Sequence, residues 1–557
     1  MHAHLGKLGA LALLLLALPF PALVRPALAQ PDDLVIELPE GYQIEKVVDG
    51  LTYPTALTWD DEGQMYVAEA GGAFLDLDAP ARILSVDVDN GEAEELVNLT
   101  DAGIAASVPG LFWHDGAFYF THRNAEDRTG AVSRVTPEGE VTPIFSGIVD
   151  SQAEHQVNDV RMGPDGRMYV ASGPAGNAAV VGLDLVPFLM QSPDLHTTPC
   201  EDIVLTGRNY MTPDFRTEDD PSDLVMTGAY VPFGTETTPG QTIEGITKCG
   251  GAILTFDPES DNPEETLEVY AWGFRNIIGL TWDDDGTMYA GVNGYDIRGS
   301  RPVRDELDAT YRIEEGAWYG WPDFSAAFEP LTDPAFDVPN SLQPPSVIDG
   351  QPQPKDQVGF VIDHEASGLE PPDASLIAGR HPWNSSPSML DVAPESWGEF
   401  AGQLFVAEWG DLAPPTNPLR DEPVGYRVVR INPESGEVLP FAQNAMPGPA
   451  SEQMAMGMGL ERPFDVKFGP DGAMYIVDYG VARINPASEG TPYEFPPETG
   501  AIWRVIQTDG EAATPDTDGG DETAASEEES SEATNVVNEI LTPEATRTEE
   551  ATPEPAS

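Results

Sequence analysis

The chain has 557 residues, 40% hydrophobic and 22% charged, with 95 acidic against 27 basic residues and a formal net charge of -68. That length supports a large buried core, while a surface so poor in cations offers no basic face for phosphates and excludes a nucleic-acid role. Only five of the basic residues are lysines, a pattern that resembles proteins adapted to high salt, where a Debye length of about 3 Å at 1 M screens self-repulsion; the other reading is an ordinary acidic exported protein.

Residues 1–29 carry Lys7 ahead of an apolar run and end on the small residues Ala27 and Ala29, as in a secretory signal cleaved near Ala29. The expected location is therefore secreted or periplasmic. No later run is long and apolar enough for a transmembrane segment, and no cysteine follows the cleavage point to carry a lipid. Residues 30–507 hold the fold. From 508 to 557 the chain is Thr, Glu, Pro and Ser with few large apolar groups, an acidic tail that cannot offset its own ordering entropy and is expected to be disordered.

The body is built on one repeated unit, clearest at 154–173 (EHQVNDVRMGPDGRMYVASG), where two alternating runs flank the turn GPDG. Five relatives follow the same plan at 51–72, 108–124, 274–294, 389–410 and 461–480. Most are followed by a further strand pair, so four short strands per unit and six units predict an all-β, six-bladed β-propeller. The last unit lacks a fourth strand, and residues 34–48 are expected to supply it and close the ring.

Long loop insertions are expected on one face. Residues 174–248, 293–309, 409–424 and 479–499 follow the second strand of a unit, and 323–385 is read as preceding the first strand of blade five. Elaboration of one face of a repeat fold marks it as the binding face. Cys200 and Cys249, the two cysteines of the chain, bracket part of the first insertion. An exported context favours a disulfide between them; a two-cysteine metal site is the alternative, without any short ligand spacing to support it.

The turn glycines Gly63, Gly166, Gly286 and Gly472 give a common ruler. Eleven and ten residues before them stand Thr52 and Tyr53, His155 and Gln156, Arg275 and Asn276, and Glu461 and Arg462. These equivalent slots, just ahead of each innermost strand, would face one another at the mouth of the central channel. A histidine, two arginines and two amides there suggest a site for a small anionic ligand, with His155 free to act as a base. Taken singly, each arginine is equally a partner for a neighbouring carboxylate, and His155 a hydrogen-bonded loop residue.

His155-Gln156 ahead of GPDGRMYVASG, the tetrad Gly273-Phe274-Arg275-Asn276, and Asp305-Glu306 followed by Tyr319-Gly320-Trp321-Pro322 together resemble the soluble quinoprotein glucose and sorbosone dehydrogenases. These are six-bladed propellers that use pyrroloquinoline quinone (PQQ) and calcium. The resemblance covers most of residues 40–507. It implies that His155 takes the proton of the anomeric hydroxyl while hydride passes to PQQ. Arg275 would stabilise charge on the cofactor, with Gln156, Asn276 and Arg462 helping to bind it. Backbone carbonyls of Gly294 and Tyr295 would hold a calcium ion on the cofactor, and Asp305 and Glu306 a second, structural calcium. The partners implied are a small sugar and an external electron acceptor, a quinone or cytochrome.

The chain departs from that pattern in three places. Phe464 stands where closer family members have a second arginine, no lysine occurs between Lys355 and Lys467, and the metal-proximal loop reads NGYDIRGSRP. Two other functions fit the same architecture: a cofactor-free propeller that binds carbohydrate or a protein partner, and a calcium-dependent, lactonase-like hydrolase. His381, in a loop on the elaborated face, is a candidate substrate contact.

Overall fold

Each repeat folds as a hairpin because its turn is fixed twice. Gly63, Gly166, Gly286 and Gly472 adopt φ of +84°, +80°, +82° and +80°, a left-handed conformation that costs glycine nothing. A turn aspartate then accepts a hydrogen bond from the tyrosine of the returning strand: Tyr66 to Asp60 (3.0 Å), Tyr169 to Asp165 (2.9 Å), Tyr289 to Asp283 (3.0 Å) and Tyr475 to Asp471 (2.8 Å). The latch explains why an aromatic residue leads the second strand in these four units.

The computed structural model describes residues 34–72, 76–217, 222–304, 306–355, 357–413, 420–485 and 492–508. The expected signal and all but the first residue of the acidic tail lie outside them. Six four-stranded antiparallel sheets form the blades. In blade one the strands are Pro54–Trp59, Met65–Gly72, Asp76–Asp87 and Glu92–Asn98; in blade two, Leu111–His114, Ala117–Arg123, Gly130–Val135 and Val141–Ile148. Blade three has Val157–Met162, Met168–Ser172, Ala252–Phe256 and Glu268–Trp272, and blade four Asn276–Trp282, Met288–Asn293, Asp308–Ile313 and Ile377–His381. Blade five has Pro387–Val392, Leu404–Glu408, Arg427–Asn432 and Glu437–Asn444.

Blade six is shared between the ends of the described chain. Pro463–Phe468, Met474–Asp478 and Gly500–Gln507 are completed by Tyr42–Leu51, which pairs with the last of these from Tyr42↔Gln507 to Leu51↔Gly500. The expected closure is therefore present. Ile36–Glu37 adds a short outer strand to blade five.

The six innermost strands contact one another in sequence around the ring, the last returning to Pro54–Trp59. Aspartates on these strands bridge neighbouring blades. Asp159 accepts from the Leu280 amide (3.0 Å), Asp391 from Phe468 (3.0 Å) and Asp465 from Leu57 (3.1 Å). Asp159 and Asp465 each sit seven residues before a turn glycine, Gly166 and Gly472, so one repeated position joins blade to blade at both places, while Asp391 bridges from a different position of its strand.

One insertion lies elsewhere than expected. The fourth strand of blade four is Ile377–His381, so the long excursion falls between the third and fourth strands of that blade and does not precede blade five. Its Ser346–Ile348 strand pairs with Arg208–Pro213 from the blade-three insertion, merging the two into a separate four-stranded sheet.

Cys200 and Cys249 are joined as a disulfide, 49 residues apart. Replacing both by serine should lower stability by roughly 2–4 kcal/mol, because a closed loop restricts the unfolded chain. A chemical-denaturation midpoint equal to that of the wild type would contradict this.

Candidate active site

A cavity of about 450 Å³ opens at the elaborated end of the ring, within the size range of small-molecule sites. His155, Gln156, Arg275, Asn276 and Gly294 all line it. The ruler slots of blades three and four thus converge, because both lie one step ahead of an innermost strand and those strands touch. The insertion within blade three adds Asp184, Pro187 and Phe188, and the loops of blades five and six add Trp409, Asp411, Tyr479 and Tyr493.

His155 is buried, and its Nδ1 lies 3.0 Å from the Pro174 carbonyl oxygen. A carbonyl only accepts, so Nδ1 carries the hydrogen and Nε2 keeps its lone pair. Burial, then the Arg275 and Arg298 guanidiniums, holds the imidazole well below its usual range. It is a neutral acceptor near pH 7. The approach of His155 to Asn276 depends on Gly173, where a Cβ would fall 2.7 Å from His155 Cβ and 2.8 Å from Asn276 Oδ1.

Beside it lies an ion network that sequence reasoning missed. Arg298 pairs with Glu154, with Asp184 at 3.0 Å and with Asp296 at 2.9 Å. Asp296 in turn holds Arg275 at 2.8 Å, and Arg275 also donates to Asn177 Oδ1 at 3.1 Å and the Asn293 carbonyl at 3.3 Å. Glu154 Oε1 is 3.4 Å from His155 Nε2. Burial raises the carboxyls of Glu154 and Asp184 above their usual values; at Asp296 the two arginines outweigh burial and lower it. The only sequence signal was position: Glu154 adjoins His155, and Asp296 and Arg298 lie in the atypical NGYDIRGSRP loop.

Arg462 does not line the cavity, contrary to the ruler. Its guanidinium is sandwiched between the rings of Trp409 (4.2 Å) and Tyr426 (4.8 Å). Its donors go to the carbonyls of Ala482 (2.8 Å), Trp409 (3.2 Å), Gly410 (3.1 Å) and Asp411 (3.1 Å). In its place the cavity is lined by the rings of Trp409, Phe464 and Tyr479.

Asp305 lies outside the described residues. Glu306 is buried and turned inward, its Oε1 accepting from the Tyr295 amide (2.9 Å) and its Oε2 from the Ala326 amide (2.8 Å); burial raises its carboxyl to about 8. Tyr295 lies behind the cavity, its hydroxyl on the Phe324 carbonyl at 3.0 Å. Among the described residues no group of three or more His, Cys, Asp or Glu side chains is arranged to hold a metal. Asp308 lines the cavity, accepts from the Gly294 amide (2.7 Å) and the Ser386 amide (2.8 Å), and is raised by burial to about 6.

His381 is not a substrate contact. It ends the last strand of blade four, fully buried, with Nδ1 2.8 Å from Glu408 and Nε2 2.8 Å from Thr310 Oγ1. The chain Thr310–His381–Glu408 has the order of a nucleophilic triad, but all three are sealed from solvent, and no substrate can reach the hydroxyl.

Several solved structures are similar in fold. An aldose sugar dehydrogenase from Streptomyces coelicolor, in its PQQ-bound form, is 17% identical with a TM-score of 0.44, over 84% of this chain and 99% of that one. The PQQ domain of a pyranose dehydrogenase from Coprinopsis cinerea is 15% identical with a TM-score of 0.47, over 86% and 98%. A carbohydrate-active enzyme of family AA12 from Trichoderma reesei is 14% identical with a TM-score of 0.48, over 87% and 99%. No curated protein matches the sequence. Residues 236–343, the segment that carries Arg275, Asn276 and the motifs through Pro322, match the glucose/sorbosone dehydrogenase family.

Proposed function

We propose that this protein is an exported quinoprotein dehydrogenase that oxidises an aldose or a related sugar at the anomeric carbon. The observation that carries the proposal is the juxtaposition of a neutral His155, its Nε2 lone pair free of the ring proton, with Arg275 and Asn276 in one cavity. The family match over 236–343 supports the reaction class.

The lining suits a planar, polar-edged cofactor such as PQQ. Trp409, Phe464 and Tyr479 give an aromatic surface, with the Tyr479 ring 6.0 Å from Trp409 and 6.5 Å from Phe464. The polar part includes Gln156, Asn276 and Arg275, and Gln156 Oε1 and Arg275 Nε are buried without a hydrogen bond. Oxygen donors around Gly294 and Asp308 suit a hard cation such as calcium. Bound there, PQQ would supply a two-electron acceptor for the hydride of the anomeric carbon.

The remaining work falls to the chain. His155 Nε2 accepts the hydroxyl proton, and Nδ1 stays on the Pro174 carbonyl, which holds the ring in that tautomer. Arg275, held by Asp296 and Asn177, presents fixed positive charge where negative charge develops. Phe188, Trp409 and Tyr493 add aromatic rings to the wall of the cavity. An external quinone or cytochrome would reoxidise the cofactor.

The test is reconstitution with PQQ and calcium, at low and high salt, followed by dye reduction with a panel of aldoses. Cofactor-dependent turnover is expected; no turnover and no change in quinone absorbance would refute the proposal. One observation favours the cofactor-free carbohydrate-binding reading instead. Arg275 and Arg298 already have carboxylate partners, and Arg462 is turned away, so three carboxylates of PQQ meet a thin grip. Tight sugar binding without PQQ binding would select that reading.

The network also sets a pH dependence. A base works deprotonated, so activity is lost as pH falls through the pKa of His155, and a depressed value puts that loss below about 6.5. Arg298→Met removes one of the positive charges that depress it, while Glu154, Asp184, Asp296 and Arg275 remain. The acid limb of the kcat/KM profile should then move to higher pH. An unchanged profile would show that Arg298 does not act on the base.

A further inference from the structure

Most methionines of the blade strands behave as core. Met65, Met168, Met288, Met389 and Met474 are all fully buried. The segment 445–460, between the last strand of blade five and the first of blade six, is the reverse. Met454 is 95% exposed, Met456 57% and Met446 56%, with Met458 half-buried. Single exposed apolar residues are ordinary; four methionines in one short loop are not.

The backbone of this loop is held, so the exposure does not reflect a missing fold. Gln453 Nε2 donates to the carbonyls of Met446 (2.8 Å) and Gly448 (2.8 Å), which brings Met446 beside the residue preceding Met454. The Ala455 amide donates to Ala450 (2.9 Å) and the Met458 amide to Ala455 (2.8 Å). The buried Lys46 reaches up to the Gly457 carbonyl at 2.6 Å. Ala455 packs inward, and Met454 and Met456 on either side of it face out. Met454 takes φ of +58°, a conformation that a side-chain-bearing residue adopts only at a cost.

We propose that Met454, Met456 and Met458, with Met446 beside them, form a thioether site for a soft monovalent cation, Cu(I) or Ag(I). Neutral sulfur donors select such ions over calcium, magnesium or zinc, which prefer oxygen, nitrogen or thiolate. Met454, Met456 and Met458 follow one another at alternate positions of the loop, and Met454 and Met456 expose their side chains. The net charge of -68 raises the local concentration of any cation. None of the four residues lines the cavity of the candidate active site, so the site stands apart from the dehydrogenase proposal.

Thioethers carry no proton near neutral pH, whereas carboxylate and imidazole sites must lose one to bind. The test uses the full-length protein titrated with Ag(I) by calorimetry in chloride-free nitrate buffer at pH 5 and pH 8. One high-affinity equivalent is expected, with the same Kd at both values. The Met454→Leu, Met456→Leu, Met458→Leu triple variant, a volume-conserving change at a surface loop, should bind that equivalent at least tenfold more weakly with an unchanged circular-dichroism spectrum. X-ray absorption of the Cu(I)-loaded wild type should show sulfur neighbours. Equal binding by the variant, an affinity that rises with pH, or a copper shell of nitrogen and oxygen alone would overturn the proposal.

Discussion

His155→Ala is expected to lower kcat of the reconstituted enzyme by about 10²–10⁴-fold, the usual contribution of a positioned general base. The imidazole is the group in the cavity whose lone pair is fixed by geometry: Nδ1 is committed to Pro174, and burial, with the Arg275 and Arg298 charges beside it, keeps the ring neutral. Cofactor binding should change little, because alanine removes neither Arg275 nor Asn276. Measuring PQQ affinity beside dye reduction separates the two effects. Retained turnover would remove His155 from the base role, and lost PQQ affinity would make it a binding residue instead.

The second large effect concerns stability. Arg301 and Asp323 form an ion pair at 2.6 Å with both side chains fully sealed from solvent. Asp323 also accepts from the Val361 amide (3.1 Å) and the Ile362 amide (2.9 Å), while Arg301 donates to the carbonyls of Pro322 (2.6 Å) and Gly359 (2.7 Å). The pair therefore ties the loop after blade four's second strand to two segments of the long excursion. Asp323→Ala leaves a buried guanidinium unpaired and should cost about 3–5 kcal/mol. The double variant with Arg301→Met should recover part of that loss, since no lone charge remains. A double variant less stable than Asp323→Ala would contradict this account. Burial raises the Asp323 carboxyl, but Arg301 outweighs it and the net direction is down. The pair's contribution is thus present above about pH 4 and lost as pH falls through the folded value.

The propeller was legible because its signal is local and repeated. An alternating run, a turn aspartate, a left-handed glycine and an aromatic-led strand recur at fixed spacing, and each has a structural cause in the Asp–Tyr latch. The same spacing brought His155 and Arg275 to one cavity. It failed at Arg462, whose slot is equivalent but whose side chain is captured by carbonyls of the loop that follows the second strand of blade five. Backbone register fixes where a residue begins, and neighbours decide where a long side chain ends. Arg298 was hidden for the same reason, as its partners Glu154 and Asp184 come from more than a hundred residues earlier in the chain. The fourth strand of blade four was misplaced because more than sixty residues separate Ile313 from Ile377, beyond the reach of any repeat.

The shared sheet of blade six has a consequence for how the molecule is made. Its outer strand joins residues 459 apart, as in the contact of Arg504 with Glu45 at 2.7 Å. Contacts of such long range form late and slowly. A chain emerging from the amino end therefore holds Tyr42–Leu51 without its partner until Gly500–Gln507 has been synthesised. Until then both edges of an open ring are available to other strands. Stopping the chain before Gly500 should leave five blades and a half, prone to associate, whereas stopping at Thr508 should leave the ring closed.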